Sequence, residues 1–242
     1  MTGDIAYTSQ FGQLPFACGI LRGQLPHLHD DLMLSPEPPH AAVAGQDRYL
    51  TETRAFFARR AATWDTKFGD DLPAYTAAIN EAAIPRGGVV LDIGCGSGRA
   101  LPPLRQAVGA AGSVIALDLT PEMLAVARPA SISARAALVL ADARSLPFAD
   151  ASADAIFAAG LVNHLPDAEA GLRELARVTR KGGLLVLFHP SGRAALAARH
   201  GRALAADEPL AERMLRRHTA AGWELTAYDD ATHRFFAVAR RC

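Results

Sequence analysis

Residues 89–101, VVLDIGCGSGRAL, decide the fold of this chain. The run at 89–93 is typical of a buried strand, because it consists of branched apolar residues interrupted only by Asp92. Three glycines follow, and an apolar helical pattern begins directly after them. Glycines let a backbone turn tightly and approach a ligand, and the N–H groups of a following helix attract an anionic group. This order of strand, loop and helix predicts a nucleotide-binding loop in a parallel α/β sheet.

The spacing of the glycines discriminates between two kinds of nucleotide. The dinucleotide fingerprint GxGxxG requires Gly or Ala at position 99, where this chain has Arg99. Gly98 completes the pattern GxGxG instead. The acid Asp92, two positions before the first glycine, has no role in binding a pyrophosphate. The loop therefore disfavours a nicotinamide-dependent reductase, which we keep as an alternative.

The rest of the chain alternates strand and helix patterns, which predicts a parallel sheet with crossover helices. Predicted strands are 89–93, 113–118, 136–141, 154–159 and 184–188, and predicted helices are 98–108, 121–128, 168–179, a stretch from 190 to about 205, and 208–221. Two final strands, 223–228 and 233–239, form a predicted hairpin with its turn at Asp229, Asp230 and Ala231. We expect an α/β, Rossmann-like, seven-stranded and mostly parallel sheet, with helices on both faces, an antiparallel last strand and an N-terminal helical cap.

The N-terminal third differs in composition from the remainder. Residues 1–45 contain five prolines and no sustained periodicity, which predicts an arm that is partly disordered or serves as a lid. Helical spacing over 46–66 and 72–83 predicts two helices that cap the site. We therefore divide the chain into an arm at 1–45, a helical cap at 46–86 and the nucleotide-binding domain at 87–242.

Composition excludes several classes of function. The 242 residues include 25 basic and 25 acidic side chains, so no net charge attracts a nucleic acid or an anionic membrane. No apolar run is long enough to span a bilayer, and no signal peptide is visible. Three cysteines without paired spacing predict neither disulfides nor a metal centre, and His27, His29 and His40 lie in the proline-rich stretch without a helix to fix them. We expect a cytoplasmic protein that binds no metal.

The acid followed by GxGxG resembles the glycine loop of the class I S-adenosylmethionine (SAM)-dependent methyltransferases. Within them it resembles the ubiquinone/menaquinone-biosynthesis branch of small-molecule methyltransferases. The resemblance covers roughly residues 50–240. It implies SAM as cofactor, S-adenosylhomocysteine (SAH) as product, and a loop that wraps the methionine end of SAM through Asp92, Gly94, Cys95, Gly96 and Gly98.

Further positions carry the resemblance along the strand ends. Asp118 matches the acid that binds both ribose hydroxyls, and a carboxylate there can accept two charge-assisted hydrogen bonds. By the resemblance Asp142, with the Ala143 N–H, binds the adenine amino group; a loop or capping role is the competing interpretation. The remaining cofactor contacts that the resemblance implies are Leu119 and Met123 near the adenine, and Ala159, Leu161 and His164 along SAM near the sulfonium.

Two histidines are candidates for a general base. His164 lies in a loop that resembles the family's His-His-Leu-Pro-Asp, with Asn163 in place of the first histidine, and His189 follows the fifth strand. The competing interpretation of His164 is a structural role, and that of His189 is a histidine at the rim that packs or binds substrate. Trp64 and Asp65 resemble the family's aromatic-Asp pair that closes over SAM. Candidate substrate or lid residues, which a plain core role would also explain, are Phe56, Phe57, Arg60, Trp64, Phe68 and His189.

These observations predict an enzyme that transfers the methyl group of SAM to a small metabolite or natural-product intermediate. The transfer is an in-line displacement, and positioning of the acceptor supplies most of the catalysis. A protein that binds SAM without chemistry, or engages a partner through its arm, is the alternative from another class. We expect no nucleic-acid or membrane partner, with a homodimer as one candidate assembly.

Overall fold

A central sheet aligns the carboxyl ends of its parallel strands at one edge. The computed structural model describes residues 40–67, 70–220 and 222–242, with side chains from Arg48 onward, Lys67 excepted. Within these residues the sheet has seven strands in the order β3-β2-β1-β4-β5-β7-β6. Their bounds are β1 Val89–Ile93, β2 Ser113–Asp118, β3 Ala137–Leu140, β4 Ala153–Ala159, β5 Thr179–His189, β6 Trp223–Ala231 and β7 Arg234–Arg241.

Helices connect the strands and cover both faces of the sheet. They are α1 His40–Ala61, α2 Leu72–Glu81, α3 Leu101–Val108, α4 Pro121–Ala134, α5 Ala168–Val178, α6 Arg193–Arg199 and α7 Glu212–Thr219. Short 3-10 helices lie at Asp65–Lys67 and Val162–His164. The predicted fold class is confirmed, including helices on both sides of a mostly parallel sheet.

Alternating side chains of the strands supply two hydrophobic layers. On β4, Ile156 enters the layer that includes α5 and α7, whereas Phe157 enters the layer that includes α2 and α3. Both side chains are completely buried. A central strand buried on both faces reads as a nearly continuous apolar run, which explains why the sequence predicts this strand well.

The last two strands form the predicted hairpin, but its turn was predicted wrongly. β7 is antiparallel to both β5 and β6, whereas the other neighbouring strands are parallel. Asp229 and Asp230 belong to β6, and the turn lies at residues 232–233. Arg234 donates to Asp229 at 2.7 Å and Arg193 donates to Asp230 at 2.9 Å. Because both acids have cationic partners, they are accommodated inside a strand.

Two helices have boundaries that differ from the prediction. α3 begins at Leu101 rather than Gly98, because Gly98 has a φ of 85°, outside the helical region. α4 continues beyond the predicted end at Arg128 and contains Pro129. Ala127 and Ser131, before and after the proline on the same side of the helix, are both buried, so the helix remains packed on either side of the hydrogen bond that the proline removes.

The C-terminal segments also differ in length from the prediction. β5 begins at Thr179 rather than Leu184, because Thr179 pairs with Ala153 despite the glycines that follow. α6 ends at Arg199, before Gly201 with its φ of 66°, a typical helix stop. α7 starts at Glu212 rather than Glu208, after Pro209, and α1 starts at His40, six residues before the predicted start.

Some predictions fall outside the described residues. They concern most of the arm at 1–45, with His27 and His29, the side chain of His40, the lid candidate Phe68, and Ala221 at the predicted end of α7. The division into arm, cap and nucleotide-binding domain stays a prediction. None of the described helices is both long and apolar enough to cross a membrane.

Candidate cofactor and acceptor site

A cavity of about 750 Å³ lies at the carboxyl ends of the parallel strands. Ligands of open α/β sheets collect at this edge, because the loops there leave a crevice between neighbouring strands. The cavity brings together seventeen of the predicted site residues: Phe56, Phe57, Arg60, Trp64, Asp92, Gly94, Cys95, Gly96, Asp118, Leu119, Met123, Asp142, Ala143, Ala159, Leu161, His164 and His189. Their individual roles stay predictions.

The glycine loop is held by hydrogen bonds to the neighbouring strand, β2. The N–H groups of Gly94 and Cys95 both donate to the Leu117 carbonyl at 2.8 Å. Gly94, Gly96 and Gly98 have φ values of 73°, 54° and 85°, a region that side chains rarely adopt. The backbone conformation alone thus favours glycine at all three positions.

Gly98 does not line the cavity, unlike the other two glycines. A Cβ at this position would lie 3.1 Å from Leu101 and 3.2 Å from Ala127, so Gly98 allows α4 to pack closely against the loop. A Cβ at Gly96 would meet nothing within 4 Å. Gly98 therefore serves the packing of the loop, and Gly96 leaves space on the cavity side.

Asp118 ends β2 and is hydrogen-bonded to the loop. Its Oδ2 accepts the Gly96 N–H at 2.9 Å and its Oδ1 accepts the Thr120 N–H at 2.8 Å. Burial raises the pKa of Asp118, although these backbone hydrogen bonds oppose the shift. Each oxygen retains a further lone pair for a ligand hydroxyl.

Asp92 is the most deeply buried acid of the cavity. It is 1% exposed, and its Oδ2 has no hydrogen-bond partner in the described part of the chain. Burial, and secondarily the charge of Asp118, raises the pKa of Asp92 to about 8. A buried carboxylate without a partner is costly unless a donor or a cation satisfies it. This oxygen is therefore a position at which a bound cation would be stabilised.

Asp142 is engaged by Arg144. The Arg144 guanidinium donates to both carboxylate oxygens, with distances of 2.6 to 3.1 Å, and lies 4.7 Å from the centre of the Tyr49 ring on α1. The Tyr49 hydroxyl donates to the His164 carbonyl. These contacts connect α1 with the predicted adenine end of the cavity.

Aromatic side chains of the cap form one wall of the cavity. The Phe57 ring lies 5.1 Å from the Phe56 ring, 5.6 Å from the Trp64 ring and 5.1 Å from the His164 ring. Burial lowers the pKa of His164. The Arg60 guanidinium stacks on Phe56 at 3.7 Å. Phe56, Phe57, Arg60 and Trp64 lie on this wall, whereas His189 lines the cavity from the end of β5.

His189 is held by its own loop. Its Nδ1 lies 3.0 Å from the Ser191 carbonyl oxygen and 3.1 Å from the Ser191 nitrogen. Burial lowers the pKa of His189, which keeps the ring neutral near pH 7. Within the described residues, Nε2 has no hydrogen-bond partner. A neutral imidazole in this position is able to accept a proton.

Several lining residues were missed by sequence reasoning. Asp71 and Tyr75 line the cavity from α2 and the residue before it, and Tyr75 packs against Phe188 with ring centres 4.9 Å apart. Their spacing of four residues, one helical turn, was the available signal. Other missed positions follow β5: Arg193, Leu196, His200, Arg202, Leu210 and, on β7, Phe235.

Comparison with known proteins identifies the domain. Residues 91–187 match the family model described as a methyltransferase domain. An arsenite methyltransferase of Aquipseudomonas alcaligenes is 38% identical over 122 residues, which cover 46% of this chain and 35% of that protein. A demethylmenaquinone methyltransferase of Roseiflexus castenholzii is 37% identical over 142 residues, which cover 57% of this chain and 59% of that protein. The chain spans less than two thirds of the length of these relatives.

The same fold occurs in solved structures. A SAM-dependent methyltransferase from Aquifex aeolicus aligns with a TM-score of 0.59 and 22% identity, covering 69% of this chain and 89% of that one. Together with the family model and the curated relatives, this shared fold confirms the predicted family and the predicted cofactor. Residues 91–187 therefore form a methyltransferase domain, and the chain is similar to SAM-dependent methyltransferases in both sequence and fold.

Proposed function

We propose that this chain transfers the methyl group of SAM to a small-molecule acceptor bound in the cavity. The observation that carries the proposal is the buried, unpartnered Asp92 Oδ2 beside the glycine loop. SAM carries an ammonium group on its methionine part and a positive sulfonium, so an acidic end of the cavity complements it. Asp92 and Asp118 both line the cavity beside this loop, and Asp118 accepts the Gly96 N–H.

The residues present fit SAM as the methyl donor. In this proposal Gly94, Cys95 and Gly96 hold the methionine part together with Asp92. Asp118 binds the ribose hydroxyls through the free lone pairs of its two oxygens. The adenine end is formed by Leu119, Met123, Asp142 and Ala143, and the wall beside the methyl group by Ala159, Leu161 and His164. The bound cofactor supplies an activated methyl group.

The acceptor is proposed to lie between the aromatic wall and the residues that follow β5. Phe57 and Trp64 line the cavity from the cap, and Leu196, Leu210 and Phe235 line it from the part of the chain that follows β5. A cavity of about 750 Å³ falls within the ~300 to 1,000 Å³ that ligand pockets occupy, which favours a small molecule over a macromolecule. The apolar walls align the acceptor and exclude water, and such positioning can supply about 7 to 11 kcal/mol of the barrier.

His189 is proposed as the general base for an acceptor that must lose a proton. Its ring is oriented by Ser191 through Nδ1, and its lowered pKa keeps it neutral and ready to accept a proton. His164 is the second candidate. Its ring packs against Phe57, and burial likewise lowers its pKa. We assign His164 mainly to the wall beside the methyl group.

The experiment is to measure SAH release from SAM with a panel of small phenols, amines, thiols and activated carbon acids. Turnover with at least one class, lost in Asp118→Ala, supports the proposal. Tight SAH binding without turnover on any class would favour the non-catalytic SAM-binding alternative. Binding of NADH in place of SAH would favour a reductase. A cytoplasmic location, a homodimeric state and the absence of a nucleic-acid partner remain predictions from the sequence.

A further inference from the structure

We propose that Arg99 is a positioning residue that joins the segment between α1 and α2 to the glycine loop and so holds Trp64 against the cavity. This inference rests on the proposed function. We call the four residues Asp65, Asp71, Ser97 and Arg99 the clamp. No role in binding the cofactor is needed to account for their contacts.

The clamp contains charge-assisted hydrogen bonds between two distant parts of the chain. Arg99 Nε donates to Asp65 Oδ1 at 2.9 Å, and its Nη2 donates to the Asp65 carbonyl at 3.2 Å. Its Nη1 pairs with the carboxylate of Asp71. The Ser97 hydroxyl donates to the same Asp65 Oδ1 at 2.6 Å. Two residues of the glycine loop thus contact the two acids.

Arginine suits this position because its planar fork reaches two carboxylates at once. The side chains of Arg99 and Asp71 are only 15% and 12% exposed. Charged pairs of low exposure are screened less by solvent than surface pairs, and removal of one partner leaves the other charge uncompensated. In the absence of Arg99, the charge of Asp71, which lines the cavity, would lose this cationic partner.

The clamp fixes the aromatic wall through chain connectivity. Trp64 directly precedes Asp65, and its ring lies 5.6 Å from the Phe57 ring, which contacts the ring of His164. The second acid of the clamp, Asp71, immediately precedes α2, and α2 contributes Tyr75 to the lining of the cavity. Release of Asp65 and Asp71 would therefore loosen both Trp64 and the start of α2. Arg99 thus anchors the cap from the position at which the dinucleotide fingerprint requires Gly or Ala.

Trp64 itself is a reporter for this inference. The chain has two tryptophans, and the other, Trp223, is 4% exposed and donates to the Leu172 carbonyl at 2.9 Å on the layer beside α5. A Trp223→Phe parent leaves Trp64 as the single source of tryptophan emission. Acrylamide quenching of this parent then measures how well Trp64 is held, with or without cofactor.

The test compares Arg99→Met, Arg99→Lys and Asp65→Asn in the Trp223→Phe parent, with Arg173→Met as the control. Arg173 also pairs with an acid, Glu169, but on the surface of α5. We expect increased quenching of Trp64 and SAH binding weakened about tenfold in Arg99→Met, a factor that corresponds to ~1.4 kcal/mol. Arg99→Lys should change the quenching of Trp64 and the SAH affinity less than Arg99→Met does. Arg173→Met should change neither quantity.

The outcomes separate this inference from the proposed function. Unchanged quenching and unchanged SAH affinity in both Arg99→Met and Asp65→Asn would overturn the clamp while leaving the proposed function intact. If the parent fails to bind SAH, the proposed function fails, and quenching of the free protein still decides on the clamp. Should Arg99→Met fail to fold by circular dichroism, Asp65→Asn, whose side chain is 53% exposed, provides the decision alone.

Discussion

The carboxylate of Asp118 accepts the backbone N–H of Gly96 at 2.9 Å, so the acid that ends β2 and the loop that follows β1 form one unit. The second oxygen of Asp118 accepts the Thr120 N–H at 2.8 Å. The carboxylate is therefore oriented by two backbone N–H groups, those of Gly96 and Thr120. A ligand hydroxyl meets an acceptor that needs little further ordering, which favours binding.

The first prediction concerns Asp118. We expect Asp118→Asn to weaken SAH binding about 10-fold to 100-fold, because hydrogen bonds to a charged group contribute roughly 1.5 to 3 kcal/mol. Isothermal titration calorimetry measures the change. Asp150→Asn removes an acid that pairs with Arg177 at the surface, and it should leave the affinity unchanged. Equal affinity of Asp118→Asn and the wild type would show that the ribose is held elsewhere.

The second prediction is a pH dependence of stability caused by Asp92. Its pKa of about 8 in the folded state exceeds the ~3.9 of an unfolded chain, so the folded state binds the extra proton. Stability of the free protein should therefore fall as the pH rises from about 4 to about 8, with a slope of at most ~1.4 kcal/mol per pH unit. Asp92→Asn should lack this contribution.

Urea denaturation of the wild type and Asp92→Asn between pH 5 and pH 8.5 tests this. The variant should gain stability relative to the wild type as the pH rises. SAH binding to the wild type should become tighter over the same range, because the ligand ammonium favours ionised Asp92. A constant difference in stability between the two proteins would contradict the assignment.

The third prediction compares two of the three glycines of the loop, Gly96 and Gly98. Gly98→Ala should destabilise the protein by about 2 to 4 kcal/mol, because it combines a left-handed backbone with overpacking against Leu101 and Ala127. Gly96→Ala should cost about 1 to 2 kcal/mol, the backbone contribution alone, since its Cβ meets nothing within 4 Å.

SAH binding should rank the two variants in the opposite order. Gly96 lines the cavity, so a methyl group there occupies space proposed for the cofactor. Denaturation and calorimetry on both variants give the comparison. Loss of affinity only in Gly98→Ala would place the cofactor away from Gly96.

The fourth prediction concerns His189 as a base. His189→Gln should lower kcat by about 100-fold or more on an acceptor that loses a proton, with little effect on KM. Because the pKa of His189 is lowered, the acidic limb of the wild-type rate profile should lie below pH ~6.5. His164→Gln, which alters the wall, should lower kcat less than tenfold. A larger effect of His164→Gln would exchange the two roles.

Local patterns explain which parts of the structure could be predicted from the sequence. The strands that line the cavity are short apolar runs bounded by turn residues, and the glycines and acids at their ends belong to single motifs. The sequence predicts a turn at Asp229 and Asp230, because nothing in the local pattern shows that Arg234 and Arg193 pair with these acids. The predicted end of α4 at Arg128 likewise falls directly before Pro129, which the structure places inside the helix.

The clamp shows most clearly which contacts cannot be predicted from local sequence patterns. Arg99 lies 34 residues from Asp65 in the sequence, and no periodicity joins them. In the sequence, Asp65 is distinguished only by its resemblance to an aromatic-Asp pair. Arg99 is distinguished only because it breaks the dinucleotide spacing. Such contacts depend on where the connection between α1 and α2 passes over the glycine loop, and this path is set by tertiary packing.

A crystal structure of the protein with SAH bound tests the central proposal most directly. We predict SAH in the cavity, with its ribose hydroxyls within hydrogen-bond distance of Asp118, its ammonium group near Asp92, and its sulfur facing the space between Phe57 and His189. SAH bound elsewhere, or a ribose that does not contact Asp118, would contradict the account.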